Sequence, residues 1–145
     1  DELIYTSLGK TAKDLVLKTI DNKQINLHDI DSKFLVVWFW EPDCDICDEL
    51  TISLNQNRAE LNKIGAKILA INIGSEQEKW INYTRDNDLQ FINTWNSEAF
   101  NDFQKYYGAN RTPRLYVLNA DKKILAKDLQ PAGLPKYIQY LNKNN

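Results

Sequence analysis

Phe34-Leu35-Val36-Val37-Trp38-Phe39-Trp40-Glu41-Pro42-Asp43-Cys44-Asp45-Ile46-Cys47 is the stretch on which the fold turns. Its first seven residues are apolar at every position, so neither face of the extended chain suits water. The segment reads as a central strand covered by helices on both sides. Pro42 cannot donate to a strand ladder and ends it. From Asp43 onward Cys47, Leu50, Leu54, Leu61 and Ile64 recur at intervals of 3, 4 or 7, which predicts one long amphipathic helix stopped by Gly65.

Working outward, Lys67 to Ile73 is a second buried strand, and Glu76 to Asn87 a second helix with Trp80 and Tyr83 on its inner face. Phe91 to Trp95 is a short extended stretch, and Phe100, Phe103 and Tyr107 share one side of a short helix closed by Gly108. Leu115 to Leu118 and Lys123 to Ala126, joined by Asn119-Ala120-Asp121-Lys122, form an antiparallel hairpin, and Leu134 to Leu141 a last helix. Near the N-terminus Leu15, Leu17 and Ile25, Leu27 alternate with polar neighbours around Asp21-Asn22-Lys23, the pattern of another hairpin. No repeat or linker interrupts this order, so every element serves one core in a mixed sheet between helices.

A chain of 145 residues with 43% hydrophobic content suits one domain, residues 1–145. With 18 Lys+Arg against 20 Asp+Glu and no block of like charge, neither a nucleic-acid nor an anionic-membrane partner is expected. The longest apolar run, Phe34 to Trp40, is far short of the roughly 20 residues that span a bilayer, and no transmembrane segment is expected in this chain. No basic, apolar leader is read in these residues, so any export signal is expected to have been either removed or never present, and the compartment is not settled by the sequence.

Cys44 and Cys47 are the only cysteines. Their spacing fits a redox pair, half of a metal site or a small structural disulfide. At a strand-to-helix junction Cys44 lies beside the first free backbone N–H groups, which favour an anion such as a thiolate. Cys47, nearly one turn on, is close enough to resolve a mixed disulfide on Cys44. A zinc site needs two more ligands, and only His28 remains as a thiol or imidazole. A mere staple closing so small a loop removes little unfolded-state entropy. Trp38, Trp80 and Trp95 read as core. Trp40, at the carboxyl end of the strand, is placed to flank a substrate. Asp43 or Asp45 reads as the helix N-cap. His28 reads as a surface residue without a role.

Trp38 to Cys47 together with Arg111-Thr112-Pro113 resembles the thioredoxin superfamily, and within it the TlpA/ResA-like branch, over about Lys13 to Leu141. The resemblance implies a thioredoxin fold: a central mixed β-sheet flanked by helices, with an extra N-terminal β-hairpin. It further implies a cis proline at Pro113, preceded by Thr112, that packs by the cysteine pair and holds the partner chain. The expected activity is thiol:disulfide exchange through Cys44 and Cys47, with no organic cofactor and no metal. The expected partners are a protein disulfide or dithiol and a thiol reductant, acting on a monomer in the periplasm or cell envelope. The style is similar to Bacteroidetes homologues in which such a domain ends a longer exported lipoprotein, so a further domain or anchor outside these residues is expected.

Departures from the family pattern bear on proton handling. The buried acid found six residues before the first cysteine in thioredoxin is Trp38 here, and the Glu common three residues after the second cysteine is Leu50. The proline usual between the cysteines is missing. Glu41, Asp43, Asp45, Asp48 and Glu49 crowd the pair, and each carboxylate about 8 Å from a sulfur costs a thiolate roughly 0.5 to 2 kcal/mol. Cys44 is therefore expected to be less acidic than in an oxidising member, with Arg114 softening the effect. The competing readings are a non-catalytic thioredoxin-like binding domain with a structural disulfide, and a peroxide-reducing enzyme of the same superfamily. The latter lacks support because its Pro-x-x-x-Thr-x-x-Cys signature is absent.

Overall fold

In a computed structural model, residues 3–96 and 100–144 are described. Chain order is α1 (Leu3–Thr6), β1 (Val16–Thr19), β2 (Gln24–Asn26), β3 (Phe34–Trp40), α2 (Asp45–Gln56), α3 (Arg58–Lys63), β4 (Ala66–Asn72), α4 (Gln77–Asp86), β5 (Ile92–Trp95), α5 (Phe100–Tyr107), β6 (Arg114–Asn119), β7 (Ile124–Lys127) and α6 (Leu134–Lys143). Single 3-10 turns follow β2 and precede α6.

The strands form one sheet in the order β2-β1-β5-β4-β3-β6-β7. β3, β4 and β5 run parallel, while β6 and β7 on one side and β1 and β2 on the other add antiparallel pairs. This is the thioredoxin-like fold with its additional N-terminal hairpin. All seven residues of β3 are buried, because alternate side chains enter two separate cores. Leu35, Val37 and Phe39 pack with Leu17, Leu69, Phe103, Tyr107 and Tyr116. Phe34, Val36, Trp38 and Trp40 pack with Cys47, Leu54, Leu61, Trp80, Leu134 and Ile138, so α2, α3, α4 and α6 cover that face. The side chain of Phe100 lies outside the described residues, and Phe103 and Tyr107 are the anchors of α5.

The single helix expected from Asp43 to Ile64 is two helices that break at Asn57, whose dihedrals are −94° and −1°. The Asn57 side chain donates to the Ser53 carbonyl at 2.8 Å, and this local bond competes with continuation of the ladder. Gly65 ends α3 at φ +84°, and a Cβ there would come within 2.9 Å of Lys33 Cβ, so only glycine lets the chain return directly beside β3.

Candidate active site

β3 delivers the chain to the carboxyl end of the parallel strands, where Pro42 and Asp43 turn it into α2. The turn is closed by the Cys44 N–H donating to the Glu41 carbonyl at 3.2 Å. Cys44, and neither Asp43 nor Asp45, is the N-cap. Its backbone is extended (−88°, 115°), and its Sγ accepts the Cys47 N–H at 3.1 Å. That corrects the expected carboxylate cap. The cap position belongs to the residue whose side chain can fold back over N3, and here the sulfur takes it.

Cys44 and Cys47 are joined in a disulfide. Cys44 is half-buried and Cys47 is fully buried beneath it. Of the two cysteines, only Cys44 has surface in contact with solvent. Trp38, on β3, donates its Nε1–H to Thr51 Oγ1 at 3.0 Å. Leu50 is apolar, so neither it nor Trp38 supplies an acid beside the pair.

The acids near the pair are not equivalent. Asp43 takes an ion pair from Lys79 at 3.3 Å, and Lys79 also reaches Glu76 at 3.2 Å. Hydrogen bonds to Glu76 and then Asp43 hold the Lys79 ammonium above its ordinary pKa. Asp48 accepts the Tyr83 hydroxyl. Burial, and after it that hydrogen bond, pushes the Tyr83 phenol above its ordinary range. Glu41 accepts a long hydrogen bond from Thr112 Oγ1, 3.4 Å. Asp45 and Glu49 are exposed. Lys79 and Tyr83 are four residues apart on α4 and so share one face, which meets the start of α2. That spacing was the available signal for two site residues that motif reading missed.

Trp40 does not flank a docking surface. It is completely buried, with its ring 5.3 Å from that of Tyr83, so it underlies the site. The expectation fails because the face of β3 that carries Trp38 and Trp40 is covered to its last residue by the packed helices, α2 and α4 among them. Arg114 is also placed differently from expectation. Its Nε binds Asp128 at 3.2 Å and its guanidinium lies over the Tyr116 ring, on the sheet face opposite Cys47. Alternation along β6 sends it there. His28 is exposed on the hairpin side, 2.6 Å from the Ala12 carbonyl.

The Thr112–Pro113 peptide bond is cis. β3 and β6 pair with Phe39 opposite Arg114, so the same register carried one step further sets Pro113 beside Trp40 at the strand end. Pro113, Trp38, Leu50, Leu115, Leu129 and Pro131, together with the polar Asp128 and Gln130, line a groove of about 120 Å³ alongside the first turns of α2. The disulfide, the proline and the groove therefore occupy one end of the sheet. Among the described residues no group of His, Cys, Asp or Glu is arranged to hold a metal ion, and no helix is long and apolar enough to cross a membrane.

A family model described as the AhpC/TSA family matches residues 8–127. The chain is 22% identical over 136 residues to the thiol-disulfide oxidoreductase ResA of Bacillus thuringiensis subsp. konkukian, covering 94% of this chain and 78% of the relative. Among solved structures, a domain of a possible thiol-disulfide isomerase from Cytophaga hutchinsonii superposes with a TM-score of 0.86 at 28% identity, covering 94% of each chain. The thioredoxin domain of a thiol-disulfide oxidoreductase from Bacteroides vulgatus has the same TM-score at 18% identity, over 93% of this chain and 97% of that one, and shows the fold alone.

Proposed function

The chain belongs to the AhpC/TSA family of thioredoxin-like proteins, and from that premise we propose that it reduces protein disulfides by thiol–disulfide exchange through Cys44 and Cys47. It is a thiol:disulfide oxidoreductase with a CxxC disulfide. The observation that carries the more specific reading is the asymmetry of the pair. Cys44 is only partly buried and its sulfur already sits on a helix-terminal N–H, whereas Cys47 is buried. A sulfur so placed keeps its hydrogen bond when it becomes a thiolate, and the helix end favours the charge.

In the reduced enzyme the Cys44 thiolate attacks one sulfur of a partner disulfide. A Cys44–partner bond forms and the partner's other sulfur leaves as a thiolate that takes up a proton. The Cys47 thiol loses its proton to water and attacks Cys44 Sγ, re-forming the Cys44–Cys47 bond and releasing the partner's second thiol. Two electrons pass to the partner, and an external thiol reductant returns them. The disulfide is itself the redox group, and no organic cofactor or metal takes part. Thr112 and Pro113 hold the partner chain at the groove mouth. The family resemblance supports action in the cell envelope.

Peroxide reduction, the second chemistry the superfamily offers, fits the residues less well. The positions three and seven before Cys44 are Glu41 and Val37, where the peroxide-reducing signature needs Thr and Pro.

The test is insulin reduction together with the reduction potential of the pair against glutathione. A reversible couple below about −200 mV is expected, with turnover lost in Cys44→Ser. Cys47→Ser is expected to accumulate a dithiothreitol-sensitive mixed disulfide with insulin. Turnover unaffected by Cys44→Ser, or a pair that cannot be reduced, would make the disulfide structural and the domain a binding module.

A further inference from the structure

The first two turns of α2 carry two parallel stripes. Ile46 and Leu50 are four residues apart, as are Asp45 and Glu49, so each pair stacks along the helix and the two pairs run side by side. Leu50 forms part of the groove wall with Pro113 and Leu129. Ile46, between the two cysteines, is 63% exposed. The apolar stripe thus leads from the disulfide into the groove, and the acidic stripe borders it. Among the described residues Asp45 and Glu49 enter no ion pair or side-chain hydrogen bond. This distinguishes them from Asp43 and Asp48, which α4 holds.

A second copy of the chain fits this face poorly, since a two-fold contact would set acidic stripe against acidic stripe in a chain of net charge −2. The groove, at about 120 Å³ and walled by apolar residues except at Asp128 and Gln130, has room for one aliphatic side chain along its apolar wall, given that a cavity of about 150 Å³ admits benzene. We infer that the substrate is an extended segment in which an apolar side chain adjoins the reactive cysteine and enters the groove, with Lys or Arg close by to meet Asp45 and Glu49. This specificity rests on the thiol-exchange reading above. The carboxylates supply attraction and register, while the groove and disulfide supply contact and chemistry. The acids that make the Cys44 thiolate costlier in the free enzyme are then offset by the substrate's own cations.

Two disulfide-linked peptide dimers test it, each with Leu before its cysteine, one flanked by Lys and the other by Glu. Their rates with the reduced enzyme are divided by their rates with dithiothreitol, which removes their intrinsic difference in reactivity. Uncharged hydroxyethyl disulfide is run alongside. The Lys peptide is expected to react about ten-fold faster at low ionic strength, falling to about two-fold near 0.5 M salt. Asp45→Asn with Glu49→Gln should bring the low-salt ratio to about two-fold even if both absolute rates shift with the acidity of Cys44. Ile46→Ser should slow both peptides alike. Equal normalised rates in the wild type, or an undiminished preference in the double variant, overturn the inference. If hydroxyethyl disulfide still reacts in that case, thiol exchange stands and only the specificity falls. No reaction with any of the three disulfides overturns both.

Discussion

Cys44 Sγ accepts one hydrogen bond, from the Cys47 N–H, and the carboxylate of the residue preceding it, Asp43, is paired with Lys79 from α4. The ammonium is exposed and solvent-screened, so its contribution to folding is small. Its effect on a neighbouring thiolate is a separate quantity, set by the local sum of charges. Removing the positive charge leaves Asp43 uncompensated and makes the thiolate costlier. Lys79→Gln is therefore expected to shift Cys44 alkylation toward higher pH. Asp43→Asn is expected to shift it toward lower pH, and the double variant to fall short of the sum of the two, since each charge matters partly through the other. The pH dependence of iodoacetamide alkylation of the reduced protein measures all three. Identical profiles in wild type and Lys79→Gln would show that Lys79 has no influence on the sulfur. The identity of the pair was legible in the sequence because CxxC behind a buried strand is a local pattern. The state of the acids was not, since Asp43 and Lys79 are 36 residues apart and only the packing of α4 on α2 joins them.

At the scale of the element, α2 has to hold its first turn in place although Asn57 cuts it off from α3. One polar tie fastens its middle to the sheet, the buried hydrogen bond from Trp38 Nε1 to Thr51 Oγ1. Thr51 and Trp38 are both within the core, at 0% and 2% exposure. Thr51→Val keeps the shape and strands the indole N–H without a partner. It is expected to cost about 1–3 kcal/mol, read from urea unfolding of the oxidised protein, while Thr51→Ser should recover most of the loss. Equal stability of the Val variant would mean that water or a shifted ring satisfies the indole. The periodicity of Leu50, Leu54 and Leu61 gave away the helical character of this region but not its interruption. A hydrophobic pattern continues through a break whenever both pieces lie on the same sheet face, and the Asn57–Ser53 bond that makes the break is a side-chain event. The ends of the fully apolar β3 were legible because Pro42 and the polar residues before Phe34 bound it. The same enclosure removes Trp40 from the surface on which its position near the carboxyl end had placed it.

Across the whole molecule, the sheet face opposite the disulfide is closed by an aromatic group in which Phe39, Phe103, Tyr107 and Tyr116 meet with ring centroids 5.0–6.2 Å apart. Tyr107 donates its hydroxyl to the Lys13 carbonyl, and its own carbonyl accepts the Tyr116 hydroxyl at 2.5 Å. α5, β6 and the segment leading to the N-terminal hairpin are thereby tied at one point. Burial above all, and then the neighbouring Tyr116 and Asp14, pushes the Tyr107 phenol well above the ordinary tyrosine range. In the unfolded chain the same phenol ionises near pH 10. Between that value and the higher folded one, the unfolded state has lost a proton that the folded state keeps, so unfolding becomes easier as pH rises. The contribution is complete below about pH 10 and declines above it by roughly 1.4 kcal/mol per pH unit. Lysines and other tyrosines titrate in the same interval, and the comparison that isolates this group is with Tyr107→Phe. The variant is expected to be less stable at pH 8, having lost the hydrogen bond to Lys13. Its stability should then fall less steeply from pH 10 to 11, so that the two curves converge. Parallel curves from urea unfolding of the oxidised proteins would mean that Tyr107 ionises as readily folded as unfolded. The tie to the N-terminal segment would then be looser than its enclosed position implies.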